Sequence, residues 1–262
     1  MSTVSVVIPA WGETPWLEAA EASVRRQTHR AIELIVAAPP EGGPRTALAA
    51  RMDGVRRATG DYVTFVDADD WLDDDAIALL VDAIGEAEVV CAGLVRNSGQ
   101  RLPSSDIWEC GPSDVFNAMY GKLYRRELFA DLDLDLSIRL GEDLMVVAQI
   151  LHRANSIRVL PKALYHYRDN PGSVTHRQEG RGRVEDLAKV GAILRKRLPE
   201  PTYAAFHDRV TRDAMLLMLR HRVFDRSLWR ELRGRLSSPL LSDPRHGIIK
   251  KGALACAGCI LD

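Results

Sequence analysis

Short β-branched apolar runs alternate with stretches of helical period from residue 4 to about residue 95, and this alternation limits the possible folds more than any other feature. The run VSVVIPA (Val4 to Ala10) is stopped by Pro9 and reads as a strand covered on both faces of a parallel sheet. After a Gly12 to Pro15 turn, WLEAAEASVRRQT sets Leu17, Ala20, Val24 and Gln27 at helical spacing, with Thr14 as N-cap and Pro15 opening the helix. AIELIVAA is a second strand, TALAARMDGVRRATG a helix closed by Gly60, and DYVTFVDADD a third strand. The expected fold class is therefore α/β, a doubly wound, mostly parallel sheet flanked by helices. Ligands of such sheets bind beyond the carboxyl ends of the strands. That rule puts Pro9 to Glu13, Ala37 to Pro44 and Asp67 to Asp70 on one rim.

The third strand runs into FVDADDWLDDDAI, which holds six aspartates in thirteen residues. In an extended chain Asp67 and Asp69 project to the same side, so their carboxylates converge within reach of one hard cation such as Mg2+ or Mn2+. An acidic surface turn is the alternative at this level. Asp73, Asp74 and Asp75 precede the helical pattern AIALLVDAI, where carboxylates cap free N–H groups and complement the helix dipole. These three are assigned a structural role.

The chain has 262 residues, with a formal net charge of -1, 46% hydrophobic and 27% charged residues, enough for a packed core and unlike a disordered chain. Residues 181–235 carry fourteen Lys/Arg against seven Asp/Glu, about +7, leaving about -8 for the remainder. An acidic remainder argues against a nucleic-acid partner. The start MSTVSVVIPAW lacks a signal-peptide pattern and no apolar run approaches membrane-spanning length, so a cytoplasmic location is expected. The end IIKKGALACAGCILD suits a packed helix, a dimer contact or a loose anchor at a membrane surface, and the oligomeric state stays open. Cys256 and Cys259 form a single Cys-x-x-Cys pair, two ligands short of a structural zinc site. A boundary is expected near Gly180 to Gly182, giving a catalytic domain over residues 1–180 and a helical C-terminal extension over 181–262.

Six segments in order, VSVVIPAW, LEAAEASVRRQTHRAIELIV, AARMDGVRRATGDYVTFVDADDWL, KLYRRELF, GEDL and YHYRDNPGSVT, resemble the signature of glycosyltransferase family 2, inverting enzymes with the GT-A fold. The resemblance covers roughly residues 3–178. It implies Mn2+ or Mg2+ as cofactor, held at Asp67 and Asp69 with Asp70 in support, and a nucleoside-diphosphate sugar as donor. It implies Arg51 near the diphosphate, Asp143 as general base toward an acceptor hydroxyl, and Glu142 as its neighbour. Such a base removes the acceptor proton during attack on the anomeric carbon. Pro9, Trp11, Glu13, Ala38, Ala68 and Arg168 complete the expected nucleotide-binding set, with Trp11 placed to stack on the base. His176 is the expected third metal ligand, and His166 a candidate for the metal or a phosphate.

The resemblance breaks on the nucleoside side. Where the family carries an acidic Asp-Asp-Gly-Ser segment, this chain has VAAPPEGGP, with Ala38 and Pro39 at the matching positions, and the stretch up to Asp67 is shortened. Met52 and Gly12 replace family asparagines. GDP therefore has equal weight with UDP as the donor nucleotide. Transfer to a sugar, glycoside or lipid-linked acceptor is the first reading, rearrangement of the nucleotide sugar by a mutase or epimerase the second, and a silent binding module the third.

Overall fold

The computed structural model describes residues 2–96, 99, 101–102, 118–170, 180–200 and 202–203. The chain divides into two compact units. The first comprises Met1–Ser137 and Glu142–Pro171, and the second Ile138–Gly141 with the residues from Gly172 onward.

The first unit is built on one eight-stranded sheet. Its strands are β1 (Val4–Pro9), β2 (Ile32–Ala37), β3 (Tyr62–Phe65), β4 (Trp71–Leu72), β5 (Val89–Arg96), β6 (Arg101–Leu102), β7 (Lys122–Arg125) and β8 (Ile157–Tyr167). They lie in the order β2-β1-β3-β7-β5-β8-β4, with β6 paired to β5. β1 runs parallel to β2 and β3, and β5 parallel to β8. The other pairs, including β3 with β7, are antiparallel. The α/β expectation holds, and the parallel block β2-β1-β3 carries the strands read most directly from sequence.

Every residue of β1 is buried, as its apolar run requires. Val4, Val6 and Ile8 share a core with Val24 of α1 (Leu17–Arg25) and Ile77, Leu80 and Ile84 of α3 (Ala76–Ile84). On the opposite face, α2 (Ala47–Arg57) approaches β1 so closely that a Cβ added to Gly54 would stand 2.3 Å from Val7 Cγ1. Only a glycine admits that contact.

Two local expectations are corrected. The first helix begins at Leu17, with Trp16 at the cap and no side-chain cap bond, because the Thr14 carbonyl is used in a turn that accepts from the Leu17 N–H. Gln27 lies beyond that helix and is buried, and its amide donates to the Ser23 and Asp73 carbonyls and accepts from the Ile77 N–H. It therefore supplies the cap of α3 that Asp75, which makes no side-chain cap bond, does not.

In the second unit the described part is α5 (Gly180–Arg197) and the short Ile138–Gly141 segment. The buried Asp186 carboxylate accepts from the Arg139 and Leu140 N–H groups at 2.9 and 3.2 Å. Gly141 has φ +80°, which favours glycine at this position.

Candidate active site

α2 starts at Thr46, whose hydroxyl accepts from the Ala49 N–H and donates to the Leu136 carbonyl at 2.6 Å. The helix buries Leu48, Ala49 and Ala50 and, on the same buried side, Arg51. A guanidinium that is only 4% exposed needs partners of opposite charge. It finds three. Nη2 lies 2.7 Å from Asp67 Oδ1, just beyond β3. Nη1 lies 2.9 Å from Asp143 Oδ1 and 3.6 Å from Glu142 Oε1, both in the first turn of α4 (Glu142–Arg153). Arg51 Nε finds no acceptor among the described residues.

One positive charge thus faces three carboxyl groups. Burial works against the Arg51 cation, but Asp143, Asp67 and Glu142 more than offset it and raise its pKa well above the ordinary value. Burial, then the neighbouring Asp143, pushes Glu142 up to about 8, so in the ligand-free site this carboxyl carries the proton that relieves part of the negative excess. Burial also raises Asp143, against the pull of Arg51.

Next to this cluster, the aspartates after β3 form a turn closed by the Asp70 N–H to the Asp67 carbonyl at 3.0 Å. Tyr165, on β8 and fully buried, accepts from the Asp67 N–H at 3.1 Å and donates to Asp70 Oδ2 at 2.5 Å. The Arg168 N–H takes Asp70 Oδ1 at 2.7 Å. Asp70 is 2% exposed with both oxygens hydrogen-bonded, so it braces the turn that carries Asp67 and Asp69. Burial, then Asp67, raises its pKa to about 8.

Arg168 is held by its side chain as well. Nε donates to the Asp69 carbonyl at 2.8 Å, and the guanidinium lies 4.8 Å from the ring centre of Trp71 and 5.4 Å from that of Trp16. Trp71 stacks on His166 at 5.0 Å, and His166 Nε2 meets Asp73 Oδ1 at 2.7 Å. A column of four side chains braces the aspartate turn. Asp73 thus pairs with an imidazole on β8 instead of capping α3, and His166 Nε2 is committed to Asp73.

Asp67 and Asp69 remain partly exposed, and Asn170 Nδ2 donates to one Asp69 oxygen at 3.0 Å. Two hard carboxylates beside a site with surplus negative charge fit a divalent cation that completes its shell with diphosphate and water oxygens. Among the described residues no group of three or more His, Cys, Asp or Glu side chains is placed to hold a metal ion. His176 lies outside the described residues.

Comparison with known proteins bears on this arrangement. Residues 44–133 match the family described as Glycosyl transferase family 2. Over that segment the chain is similar to the family 2 glycosyltransferases. Over 215 residues it is 27% identical to the uncharacterized glycosyltransferase EpsJ of Bacillus subtilis, covering 66% of this chain and 62% of that one. Over 218 residues it is 24% identical to the glycosyltransferase GlyA of Streptococcus pneumoniae, covering 66% and 31%. The chain thus spans less than two thirds of the length of these relatives. Among solved structures, S. aureus TarS superposes with TM-score 0.66 at 16% identity over 92% of this chain and 50% of that one. The mannosyltransferase PcManGT from Pyrobaculum calidifontis, in complex with GDP-Man and Mn2+, gives 0.55 at 16% over 99% and 87%. These likenesses establish the fold as that of the GT-A glycosyltransferases.

The family 2 match contains Arg51 and the aspartate turn and ends before Glu142 and Asp143, which join the group through the Arg51 ion pairs. The residues expected on the nucleoside side start where β1 and β2 end side by side. Pro9 pairs with Ala37, and the Ala10 N–H donates to the Ala37 carbonyl at 2.8 Å. From there Trp11 is half-buried, while Glu13 and Ala38 are exposed, and Ala68 is partly buried inside the aspartate turn. Tyr165, Tyr120, Trp16 and Lys122 were not anticipated. No local pattern marks Tyr165, because its partners Asp67 and Asp70 lie almost a hundred residues away.

Proposed function

We propose that the protein is a metal-dependent glycosyltransferase that moves a sugar from a nucleoside diphosphate to an acceptor hydroxyl with inversion. The observation that supports this most is Arg51, whose one guanidinium ties Asp67 of the aspartate turn to Asp143 of the GED segment. A donor-side carboxylate and a candidate base are thereby held on a single rigid group. Solved relatives in fold are described in complex with UDP-GlcNAc and with GDP-Man and Mn2+, which supports a nucleotide sugar as donor and leaves UDP and GDP as equal alternatives.

Asp67 and Asp69 would hold Mn2+ or Mg2+, and the bound ion would offset charge on the departing diphosphate. The protein's own residues do the rest. Asp143 Oδ1 bonds Arg51 and Oδ2 bonds the Met119 N–H, so the carboxylate is fixed while each oxygen keeps a lone pair. It accepts the acceptor's proton as the acceptor oxygen bonds to the anomeric carbon and the bond from that carbon to the diphosphate oxygen breaks. Arg51 favours the ionised form of Asp143 against the effect of burial, and burial, then Asp143, favours the protonated form of Glu142.

The test is to supply UDP-, GDP-, dTDP- and CDP-sugars with Mn2+ and resolve the products by NMR. Release of free nucleotide, raised by an acceptor, is expected. A new nucleotide sugar formed without acceptor would establish rearrangement instead, and no metal-dependent thermal stabilisation by any donor would remove both enzymatic readings.

A further inference from the structure

A buried lysine lies beneath the proposed base without belonging to any expected motif role. Lys122 opens β7 and is 2% exposed, and its Nζ donates to the Ala118 carbonyl at 2.8 Å. Two residues on, the fully buried Tyr124 donates its hydroxyl to the next carbonyl, that of Met119, at 3.0 Å. Alternate residues of a strand share a face. Both side chains therefore reach back from one side of β7 and grip consecutive carbonyls of the segment that leads into it. The turn between them passes through Gly121 at φ +68°.

The Ala118 carbonyl and the Met119 N–H belong to the same planar, trans peptide and point in opposite directions. With its oxygen held by Lys122, that peptide aims its N–H at Asp143 Oδ2, 3.3 Å away. Lys122 Nζ and Asp143 thus sit on opposite edges of one rigid plate. An ammonium in a buried site is costly, and burial lowers the Lys122 pKa, with Cys91 and Asp143 opposing that shift. Its charge in turn helps hold Asp143 down against burial, after Arg51.

We propose that Lys122 is a positioning residue for the base: by fixing the Ala118–Met119 peptide it orients the Asp143 carboxylate toward the acceptor. This inference rests on the reading of Asp143 as base. Arg51 from α2, Glu142 on α4, Asp67 after β3, and Tyr124 on β7 also act electrostatically with Asp143. So does Tyr120 in the turn before β7.

The test compares wild type with Lys122→Met, which keeps length and removes the donor, Tyr124→Phe, which removes only the second grip, and Asp143→Asn. Donor turnover is followed as nucleotide release from UDP-GlcNAc or GDP-mannose with Mn2+. Crystal structures of the two tether variants are solved alongside. For Lys122→Met the expected result is a kcat lower by about ten- to a hundredfold, with KM for the donor within twofold of wild type. The acid limb of kcat/KM moves to higher pH, because Asp143 loses a neighbouring cation. In its crystal structure the Ala118–Met119 peptide is rotated and the Met119 to Asp143 bond broken. Tyr124→Phe gives a smaller loss confined to kcat, and it carries the kinetic test if Lys122→Met does not fold. An unmoved peptide and carboxylate, or unchanged kcat in both tether variants while Asp143→Asn is dead, overturns the role of Lys122 alone. Full turnover in Asp143→Asn overturns the reading beneath it.

Discussion

Arg51 Nη1 and Asp143 Oδ1 meet at 2.9 Å although 92 positions separate them in the chain. Because the other guanidinium nitrogen is committed to Asp67, lysine cannot replace this fork. Arg51→Lys is expected to lower kcat/KM at least a hundredfold in nucleotide-release assays. Arg51→Met should also destabilise the fold, by about 3–5 kcal/mol in urea titration, since it leaves buried carboxylates without their cation. Wild-type kinetics in Arg51→Lys would show that the fork is dispensable.

Asp67 and Asp69, the proposed metal ligands, should differ from Asp143, the proposed base, in what their loss does. Asp69→Ala should abolish metal-dependent nucleotide binding measured by calorimetry. Asp143→Asn should bind nucleotide and metal within a few-fold of wild type while turnover falls by about 10²–10⁴, the range for loss of a general base. Loss of binding in Asp143→Asn contradicts its assignment.

Asp70 gives the metal-free protein a pH-dependent stability. Its folded-state pKa, pushed to about 8 from an ordinary 3.8, leaves the folded chain holding a proton that the unfolded chain has released between those values. The stabilisation is complete below about pH 4 and is lost as pH rises toward 8, at most about 1.4 kcal/mol per pH unit for this one group. Urea unfolding in chelator from pH 4 to 9 should show this decline, and Asp70→Asn, which cannot titrate, should flatten it. An identical slope in the variant refutes the assignment.

Gly54→Ala tests the packing that carries Arg51. The new methyl would meet Val7, so overpacking of about 1–3 kcal/mol is expected, shifting α2 and lowering activity together with thermal stability. Adding Val7→Ala should recover part of both, whereas additive losses would place the strain elsewhere.

The sequence reading was strongest where local pattern and short motifs agree. The buried run Val4–Pro9 and the aspartates beyond Tyr62–Phe65 stand where period and spacing put them, whereas Arg51, on the inner face of α2, is picked out by the resemblance alone. It was weakest where a polar group had a choice of partners. Asp73 follows a helix-capping rule in isolation, yet an imidazole 93 residues away takes its oxygen. Asp70 looks equivalent to Asp67 and Asp69, but it is buried and Tyr165 and Arg168 each bond one of its oxygens. Gln27 reads as a helix-face residue and instead caps a different helix. Such decisions depend on which strand lies alongside, and that is fixed by the sheet order β2-β1-β3-β7-β5-β8-β4.

That order also sorts the molecule by how freely it can be rebuilt. β2 is the outermost strand at its end of the sheet, and the stretch running on from Ala38 toward Thr46 departs from this margin. Lengthening a loop at a margin costs little, about 0.6 kcal/mol for each doubling. Asp67 hangs from β3, which has neighbours on both sides. The architecture therefore joins an exchangeable periphery to a fixed centre, and under the proposed function segments grafted between residues 38 and 44 are expected to alter donor preference while leaving the carboxylates around Arg51 in place.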